Sequence, residues 1–293
     1  MEVNPGTVTW EHFEVYRQAG VNRISIGMQS THDRLLRSLG RIHNSADCAE
    51  TIHMAKESGF KDISCDLIFG IPQIGAEPGE TFEEMQADLE RVAEWGAMHV
   101  SAYSIIVEDN TPLSQLFAHK QAREIDDGLE RQMYYSIRKY LNTKKIYQYE
   151  ISNYAKKFYK SRHNLKYWEC LPYLGLGLGA SSYYPAEKGC TYCDYIRQRN
   201  TDLLKDYCMG LYKGTEERIS LEEQMREFMM LGFRKIKGPS PEAFLERFGC
   251  SYFDKFSDQL EKLEKKDLIE LKDTARLTKH GLDYANDVFR EFV

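Results

Sequence analysis

Short apolar segments alternate with longer amphipathic segments through the first half of the chain. Three of the short segments have the composition of buried strands, and each is followed by a turn and then by helical spacing: 23–27, 62–69 and 99–103. The strands start 39 and 37 residues apart, which is a suitable length for one strand–helix unit. Helices are predicted over 45–59 and 81–95, and Thr81 with Glu84 forms a capping-box pattern at the start of the second.

Repeated strand–helix units predict a parallel sheet, because parallel strands need a crossover connection. We therefore expect an α/β fold in which ligands bind at the carboxyl ends of the strands. Polar residues occur at those ends: Gln29 and Ser30 after one strand, Asp66 late in the next, and Ser104 after the third. Residues 2–6 resemble the end of one further strand whose beginning is absent.

The pattern changes after a helix predicted at 127–142. Residues 147–154 alternate like an edge strand or a connector, and a loop is expected to carry residues 163–168. The chain is predicted to become helical again from about 203. Residues 241–293 indicate two helices, a hairpin at 268–278 and a final helix, an order that resembles a winged-helix module. The predicted domains are 1–145, a connector at 146–202, and 203–293.

Composition excludes several classes of protein. The net charge of −6, and 9 basic against 12 acidic residues from Ser240 to Val293, argue against a nucleic-acid partner. Apolar runs are too short for a bilayer span, so we do not expect an integral membrane protein. The seven cysteines are an odd, scattered set, and the first residues lack the features of a signal peptide. Both observations favour a cytoplasmic location.

Four motifs occur in a fixed order, and their residues fall at 2–7, 20–30, 39–43 and 66–72. In order and spacing they resemble the radical S-adenosylmethionine (SAM) family that contains oxygen-independent coproporphyrinogen III oxidases and haem chaperones. The resemblance covers essentially the whole chain. It implies a partial (β/α) radical SAM barrel with about four of six strands present, followed by the helical, winged-helix-like module.

The same resemblance implies cofactors and their contacts. In this family a CxxxCxxC motif binds a [4Fe–4S] cluster whose open iron chelates SAM. The matched positions imply that Glu2, Gln29, Arg41 and Asp66 contact SAM. Carboxylates can accept hydrogen bonds from ammonium and ribose hydroxyl groups, and Arg41 can donate paired bonds to a carboxylate. The ordinary alternatives are a surface charge for Arg41, a helix cap for Asp66 and a strand-end polar residue for Gln29.

The cluster motif is absent from these 293 residues. The resemblance places it in two strand–helix units that would precede Glu2, so we expect the sequence to be N-terminally truncated. On that expectation the chain has no ligands for an iron–sulfur cluster and performs no radical chemistry alone. The loop at 70–81 is also longer than the family's usual Gly-Gln-Thr continuation, which alters the expected adenine contact.

Residues 163–168, His-Asn-Leu-Lys-Tyr-Trp, resemble the HNxxYW motif of the haem chaperone branch. A neutral imidazole can ligate haem iron, so the resemblance implies that His163 binds haem. The alternative is a loop histidine bonded to backbone, and Tyr167 with Trp168 is expected to be structural. The glycine-rich stretch 175–179 predicts a tightly packed strand rather than a phosphate loop. Cys190 and Cys193 form a lone CxxC pair without further ligands, which disfavours a metal site.

The resemblance therefore predicts a haem chaperone that binds haem and delivers it to respiratory apoproteins, with SAM and a [4Fe–4S] cluster in the full-length parent. One alternative is an oxygen-independent coproporphyrinogen III oxidase acting in porphyrin biosynthesis. The other alternative is a cluster-free, noncatalytic protein that binds haem or another partner.

Overall fold

The computed structural model describes residues 1–187, 189 and 192–293. Its chain divides into two compact units, Met1–Lys160 and Ser161–Val293. The first unit contains six helices, namely α1 (Trp10–Gln18), α2 (Asp33–Ser38), α3 (Ser45–Glu57), α4 (Phe82–Glu94), α5 (Pro112–Ala118) and α6 (Asp127–Thr143). Its strands are β1 (Glu2–Val3), β2 (Arg23–Gln29), β3 (Asp62–Phe69), β4 (Gln73–Ile74), β5 (His99–Ser104), β6 (Ala122–Arg123), β7 (Tyr147–Gln148) and β8 (Asn153–Ala155).

The main sheet of the first unit has the strand order β1-β2-β3-β5-β8-β7. Its first four strands are parallel, as the repeated strand–helix pattern predicts, and β8 adds to β5 in the antiparallel direction. The segment 147–154, predicted as an edge strand or a connector, instead contains two short antiparallel strands, β7 and β8, of which β7 lies at the edge of the sheet. The capping box at the start of α4 is also present: Glu84 N donates to Thr81 Oγ1 at 3.2 Å, and Thr81 N donates to Glu84 Oε2 at 3.0 Å.

The two faces of this sheet differ because successive strand residues point to opposite sides. On one face, Ile24, Ile26 and Met28 of β2 are fully buried in a core that also contains residues of α3, α4 and α6. The opposite face carries Ser25 and Gly27 of β2 and the polar residues of β3 and β5 that align with them. A parallel sheet with one polar face is suited to binding a polar ligand on that face.

The second unit combines an antiparallel sheet with a helical module. Its helices are α7 (Arg162–Trp168), α8 (Leu204–Cys208), α9 (Leu221–Gly232), α10 (Pro241–Phe248), α11 (Tyr252–Lys255), α12 (Ser257–Lys265), α13 (Lys279–Asp283) and α14 (Ala285–Arg290). Its strands are β9 (Ser181–Pro185), β10 (Tyr195–Asn200), β11 (Lys213–Ile219), β12 (Ile269–Leu271) and β13 (Ala275–Leu277). Strands β12 and β13 confirm the hairpin predicted near the C-terminus.

Three local predictions in this unit are wrong. Residues 163–168 lie in the helix α7 and not in a loop, because Ser161 caps it by accepting a hydrogen bond from Asn164 N at 3.3 Å. Residues 175–179 form no strand, and the leucines among them are exposed. Part of the segment predicted as helix from 203 is the strand β11, which pairs with β10.

Candidate functional site

Asp66 lies at the centre of the polar face and is surrounded by serine hydroxyls. Its Oδ1 accepts from Ser101 Oγ at 2.7 Å, from Ser25 Oγ at 3.2 Å and from Ser64 Oγ at 3.4 Å. Its Oδ2 accepts from Ser25 Oγ at 3.1 Å and has no other partner among the described residues. Burial raises the pKa of this carboxyl, while the serine hydroxyls oppose the rise. Asp66 is thus held in place within a strand, not as a helix cap, with an oxygen able to accept from a ligand.

Glu2 lies on the same face of the sheet as Asp66. It pairs in register with Ser25, the neighbour of Asp66, and the repulsion between the two carboxylates helps to raise the pKa of Asp66. Glu2 is exposed and is held in the short strand β1 by pairing with β2. The structure therefore brings together two of the residues predicted to contact SAM.

Gln29 ends β2 with the unusual backbone angle φ of 69°. Positive φ is uncommon in non-glycine residues and often occurs at ligand sites. The Gln29 side chain folds back over Gly27, where a Cβ would lie 3.2 Å from both Gln29 Nε2 and Asn4 Oδ1. The absence of a side chain at Gly27 therefore leaves room for two amide groups at the carboxyl end of the sheet.

The turn after Gln29 is fixed by Asp88 of α4, a residue that the sequence analysis missed. Asp88 is 2% exposed and accepts from Ser30 Oγ at 2.7 Å and from Thr31 N at 2.8 Å. His32 Nδ1 also lies 3.0 Å from Asp88 Oδ1. Hydrogen bonds across 56 to 58 residues of sequence hold this turn, and no local pattern indicates them.

Arg41 lies in the loop that follows α2. The loop is closed by Arg41 N, which donates to Leu36 O at 2.9 Å, and by His43 Nε2, which lies 3.1 Å from Met28 O at the end of β2. His43 thereby ties the Arg41 loop to the strand that ends in Gln29. Arg41 is half-buried, and within the part of the chain that the structure describes its guanidinium has no hydrogen-bond or ion-pair partner. It is therefore available to an anionic ligand.

The loop at 70–80 is closed by a buried carboxyl group. Glu80 is 2% exposed, and its Oε2 accepts from Gly70 N at 2.7 Å and from Ile71 N at 3.3 Å. Burial, with a smaller contribution from the charge of Asp88, raises the pKa of Glu80 to about 8. The two amide donors act in the opposite direction but do not outweigh burial.

A buried histidine of β5, His99, contacts the polar face through Ser64, its partner in the strand register. His99 Nδ1 lies 2.8 Å from Ser64 Oγ, and His99 Nε2 lies 2.9 Å from Tyr149 OH. Burial lowers the pKa of His99 to about 3, so the ring is neutral at physiological pH. The chain from Tyr149 through His99 and Ser64 orients one of the hydroxyl groups that bind Asp66.

His163 is exposed on α7 in the second unit. Its Nε2 lies 3.1 Å from Tyr167 OH, and the two rings meet edge to face at 4.9 Å. Trp168, on the same helix, lies under the guanidinium of Arg234 at 4.4 Å. Trp168 therefore helps to anchor α7, whereas His163 can reach a ligand if the Tyr167 hydroxyl is displaced.

The cysteines offer no cluster site in the described part of the chain. Cys48, Cys65 and Cys170 are buried, and no group of three or more Cys, His, Asp or Glu residues is placed to hold a metal ion there. The CxxC pair cannot be described, because Cys190 lies outside the described residues. Among the residues described, no helix has the length and apolar character needed to cross a membrane.

Comparison with known proteins identifies the class of the fold. Residues 1–92 match the radical SAM superfamily, and residues 219–284 match the HemN C-terminal domain. The solved structure of coproporphyrinogen III oxidase (HemN) from Escherichia coli, a radical SAM enzyme, is similar with a TM-score of 0.75. That similarity covers 99% of this chain and 68% of the oxidase at 17% identity, so it shows the fold alone. The chain has a radical SAM α/β fold followed by a HemN-type C-terminal domain, as the four motifs predict.

Sequence relatives narrow the class further. The heme chaperone HemW of Bacillus subtilis is 34% identical over 300 aligned residues, which include all of this chain and 75% of the relative. HemW of E. coli is 31% identical over 294 residues and all of this chain, with 74% of the relative covered. HemW of Haemophilus influenzae is 32% identical over a similar length. The chain belongs to the HemW family.

Proposed function

We propose that this protein is a haem chaperone that binds haem through His163 and passes it to an apoprotein. The observation that carries the proposal is the exposed imidazole of His163, on the helix of the HNxxYW motif, in a chain related to heme chaperones over its whole length. A neutral imidazole is a common axial ligand of haem iron. An exposed ligand on a short helix suits a carrier that must release its haem.

The contacts around His163 fit this role. The Tyr167 hydroxyl, which lies 3.1 Å from Nε2, holds the free ring and must leave Nε2 before this nitrogen can bind iron. The other end of the helix is anchored by Trp168 against Arg234 and by the Cys170 carbonyl, which accepts from Arg247 at 2.6 Å. The helix that carries His163 is thus anchored at its C-terminal end, while the imidazole is exposed.

We further propose that the polar face of the first unit binds SAM. Three observations fit that ligand: the open Oδ2 of Asp66, the two amide groups of Asn4 and Gln29 packed over Gly27, and the guanidinium of Arg41. Glu2 and Asp66 would accept from the ammonium and ribose hydroxyls of SAM, and Arg41 would bind its carboxylate. When bound, SAM can supply a 5′-deoxyadenosyl group, but the described cysteines do not fit an iron–sulfur cluster. No radical step is therefore assigned to this chain.

Titration of the purified chain with haem, followed by absorbance, tests the proposal. We expect a stoichiometric complex that His163→Ala weakens by at least about tenfold, a loss of about 1.4 kcal/mol. His280→Ala is a matched control, because His280 is also exposed and its ring meets that of Tyr284, four residues later, edge to face at 4.8 Å. Equal loss in both variants, or no complex with the natural sequence, would contradict haem binding through His163.

Transfer is the second part of the test. The haem-loaded chain is mixed with apomyoglobin as a model acceptor, and transfer is followed by the absorbance of the holo-acceptor. We expect transfer from the complex to be complete at equilibrium, since a carrier must bind haem more weakly than its recipient. Retention of haem by the chain against apomyoglobin would indicate a haem-binding protein that is not a chaperone.

A further inference from the structure

Three leucines on a glycine-rich segment of the second unit are exposed without an evident structural role. Leu174 is 76% exposed, Leu176 is 91% exposed and Leu178 is 45% exposed. They alternate with Gly175, Gly177 and Gly179, and we call residues 174–179 the leucine arm. Adjacent exposed apolar side chains of this size usually mark a binding surface.

Two glycines of the leucine arm, Gly175 and Gly179, pack inward, and the leucines between and beside them point outward. A Cβ on Gly175 would lie 2.2 Å from Ser181 O, and a Cβ on Gly179 would lie 2.7 Å from Asp202 Oδ1. Gly177 has a φ of 111°, which side-chain-bearing residues rarely adopt. A Cβ on Gly177 would meet no atom within 4 Å, so close packing excludes side chains only at Gly175 and Gly179. Contacts at both ends of the arm therefore set the outward direction of the leucines.

Hydrogen bonds along the inner side hold the leucine arm in place. Gly175 N donates to Ser182 Oγ at 3.0 Å, and Asn200 Nδ2 donates to Gly177 O at 2.8 Å. Gly179 N donates to Thr201 O, just after β10, at 2.9 Å. The arm thus presents a preformed apolar surface, which reduces the entropy lost when a ligand binds.

The leucine arm begins next to the haem-binding helix of the proposed function. Tyr173, the residue before the arm, packs its ring edge to face on Tyr167 with 4.7 Å between the centroids. Tyr167 in turn contacts His163. The helix also carries the exposed Arg162 and Lys166, which form no ion pair with another described residue. An imidazole, an apolar surface and two free cations therefore lie in one part of the unit.

We propose that the leucine arm is the apolar platform for the porphyrin ring of the haem whose iron His163 binds, an inference that rests on the proposed function. Haem has a flat apolar ring, an iron centre and two carboxylates. The leucines match the ring, His163 matches the iron, and Arg162 with Lys166 matches the carboxylates in charge. A second copy of the chain or a lipid surface could cover leucines, and Arg162 with Lys166 would also suit anionic lipids. Neither of those occupants needs a metal ligand beside the leucines, whereas haem does.

Leu176→Ser is the principal test, because a residue 91% exposed can be changed without loss of folding. We expect haem affinity to fall at least about tenfold, which is about 1.4 kcal/mol, because the apolar contact of one leucine with the ring is lost. Leu245→Ser, on α10, is the matched control, because Leu245 is 54% exposed but lies outside the arm. It should leave haem affinity unchanged.

Metal-free protoporphyrin separates the leucine arm from His163. Leu176→Ser should weaken the binding of protoporphyrin and haem alike, whereas His163→Ala should weaken haem binding only. If Leu176→Ser binds both ligands like the natural chain while His163→Ala loses haem, the platform is refuted and the proposed function survives. If the natural chain binds no haem, the proposed function itself fails. If Leu176→Ser keeps haem affinity but lowers the mass measured by light scattering, the leucine arm is buried against a second copy of the chain. The proposal that it binds the porphyrin ring is then again refuted.

Discussion

Replacing Glu80 by glutamine is expected to stabilise the protein at alkaline pH and to leave it almost unchanged at acidic pH. The carboxyl group is 2% exposed, and burial raises its pKa from an ordinary 4.5 to about 8. Because the folded protein holds the proton more tightly than the unfolded chain, the group contributes its stability in full below pH 4.5. That contribution is lost as the pH rises to about 8.

The size of the effect follows from the two pKa values. A change from 4.5 to about 8 corresponds to roughly 5 kcal/mol, at about 1.4 kcal/mol for each tenfold change in proton affinity. Glutamine stays neutral throughout, and its side-chain oxygen can still accept from Gly70 N and Ile71 N. The glutamine variant should therefore exceed the natural chain by up to about 5 kcal/mol in unfolding free energy above pH 8.

Urea denaturation between pH 5 and pH 9 measures this difference. At each pH, the unfolding free energy of the natural chain is subtracted from that of Glu80→Gln. This difference removes the contributions of all other titrating groups. Glu77→Gln is the control, because Glu77 is an exposed carboxylate in the same loop, and its difference should stay near zero. Parallel curves for the natural chain and Glu80→Gln across this range would refute the argument that Glu80 is buried with a raised pKa.

Three further substitutions test other parts of the molecule. Gly27→Ala should weaken SAM binding about tenfold in calorimetric titration, because its Cβ would press on the two amides 3.2 Å away. The same crowding should lower the unfolding free energy by about 1–3 kcal/mol. Unchanged SAM affinity would remove Gly27 from the ligand site. Arg247→Met should lower the unfolding free energy measured in urea by about 3 kcal/mol, because three buried acceptors lose their donor. A loss below about 1 kcal/mol would show that these hydrogen bonds do not stabilise the fold. Tyr167→Phe should tighten haem binding about 3- to 10-fold, because no hydroxyl must leave Nε2 of His163, whereas Tyr173→Phe should not. Weaker binding in Tyr167→Phe would instead show that the hydroxyl supports ligation.

Strand–helix units were predictable from the sequence because their signal is local. The two-residue and 3.6-residue periodicities reflect which side chains face the core, and a buried strand followed by an amphipathic helix leaves both patterns in the chain. The same reasoning placed Gln29 and Asp66 at the carboxyl ends of strands. The motif resemblance then supplied the family, and the comparisons confirm it. The roles of Glu2, Gln29, Arg41, Asp66 and His163 remain predictions that ligand binding must test.

Short elements were predicted less well because they carry too little periodicity. The helix α7 has seven residues, and its start depends on one cap from Ser161. The strand β11 is almost entirely exposed and charged, and it is held by pairing with β10 rather than by an apolar pattern. In the leucine arm Gly175 and Gly179 pack inward and the leucines point outward, the reverse of what apolar composition indicates.

The sequence by itself determined the order of the elements, the family and the residue types available for chemistry. Only the tertiary structure decided which of those residues meet. Asp88 binds a turn 57 residues earlier, His43 ties the Arg41 loop to the end of β2, and Glu80 becomes buried. The physical reason is that side-chain contacts and desolvation depend on distances set by strand register and helix packing. Those distances are properties of the folded chain as a whole, and local sequence patterns do not encode them.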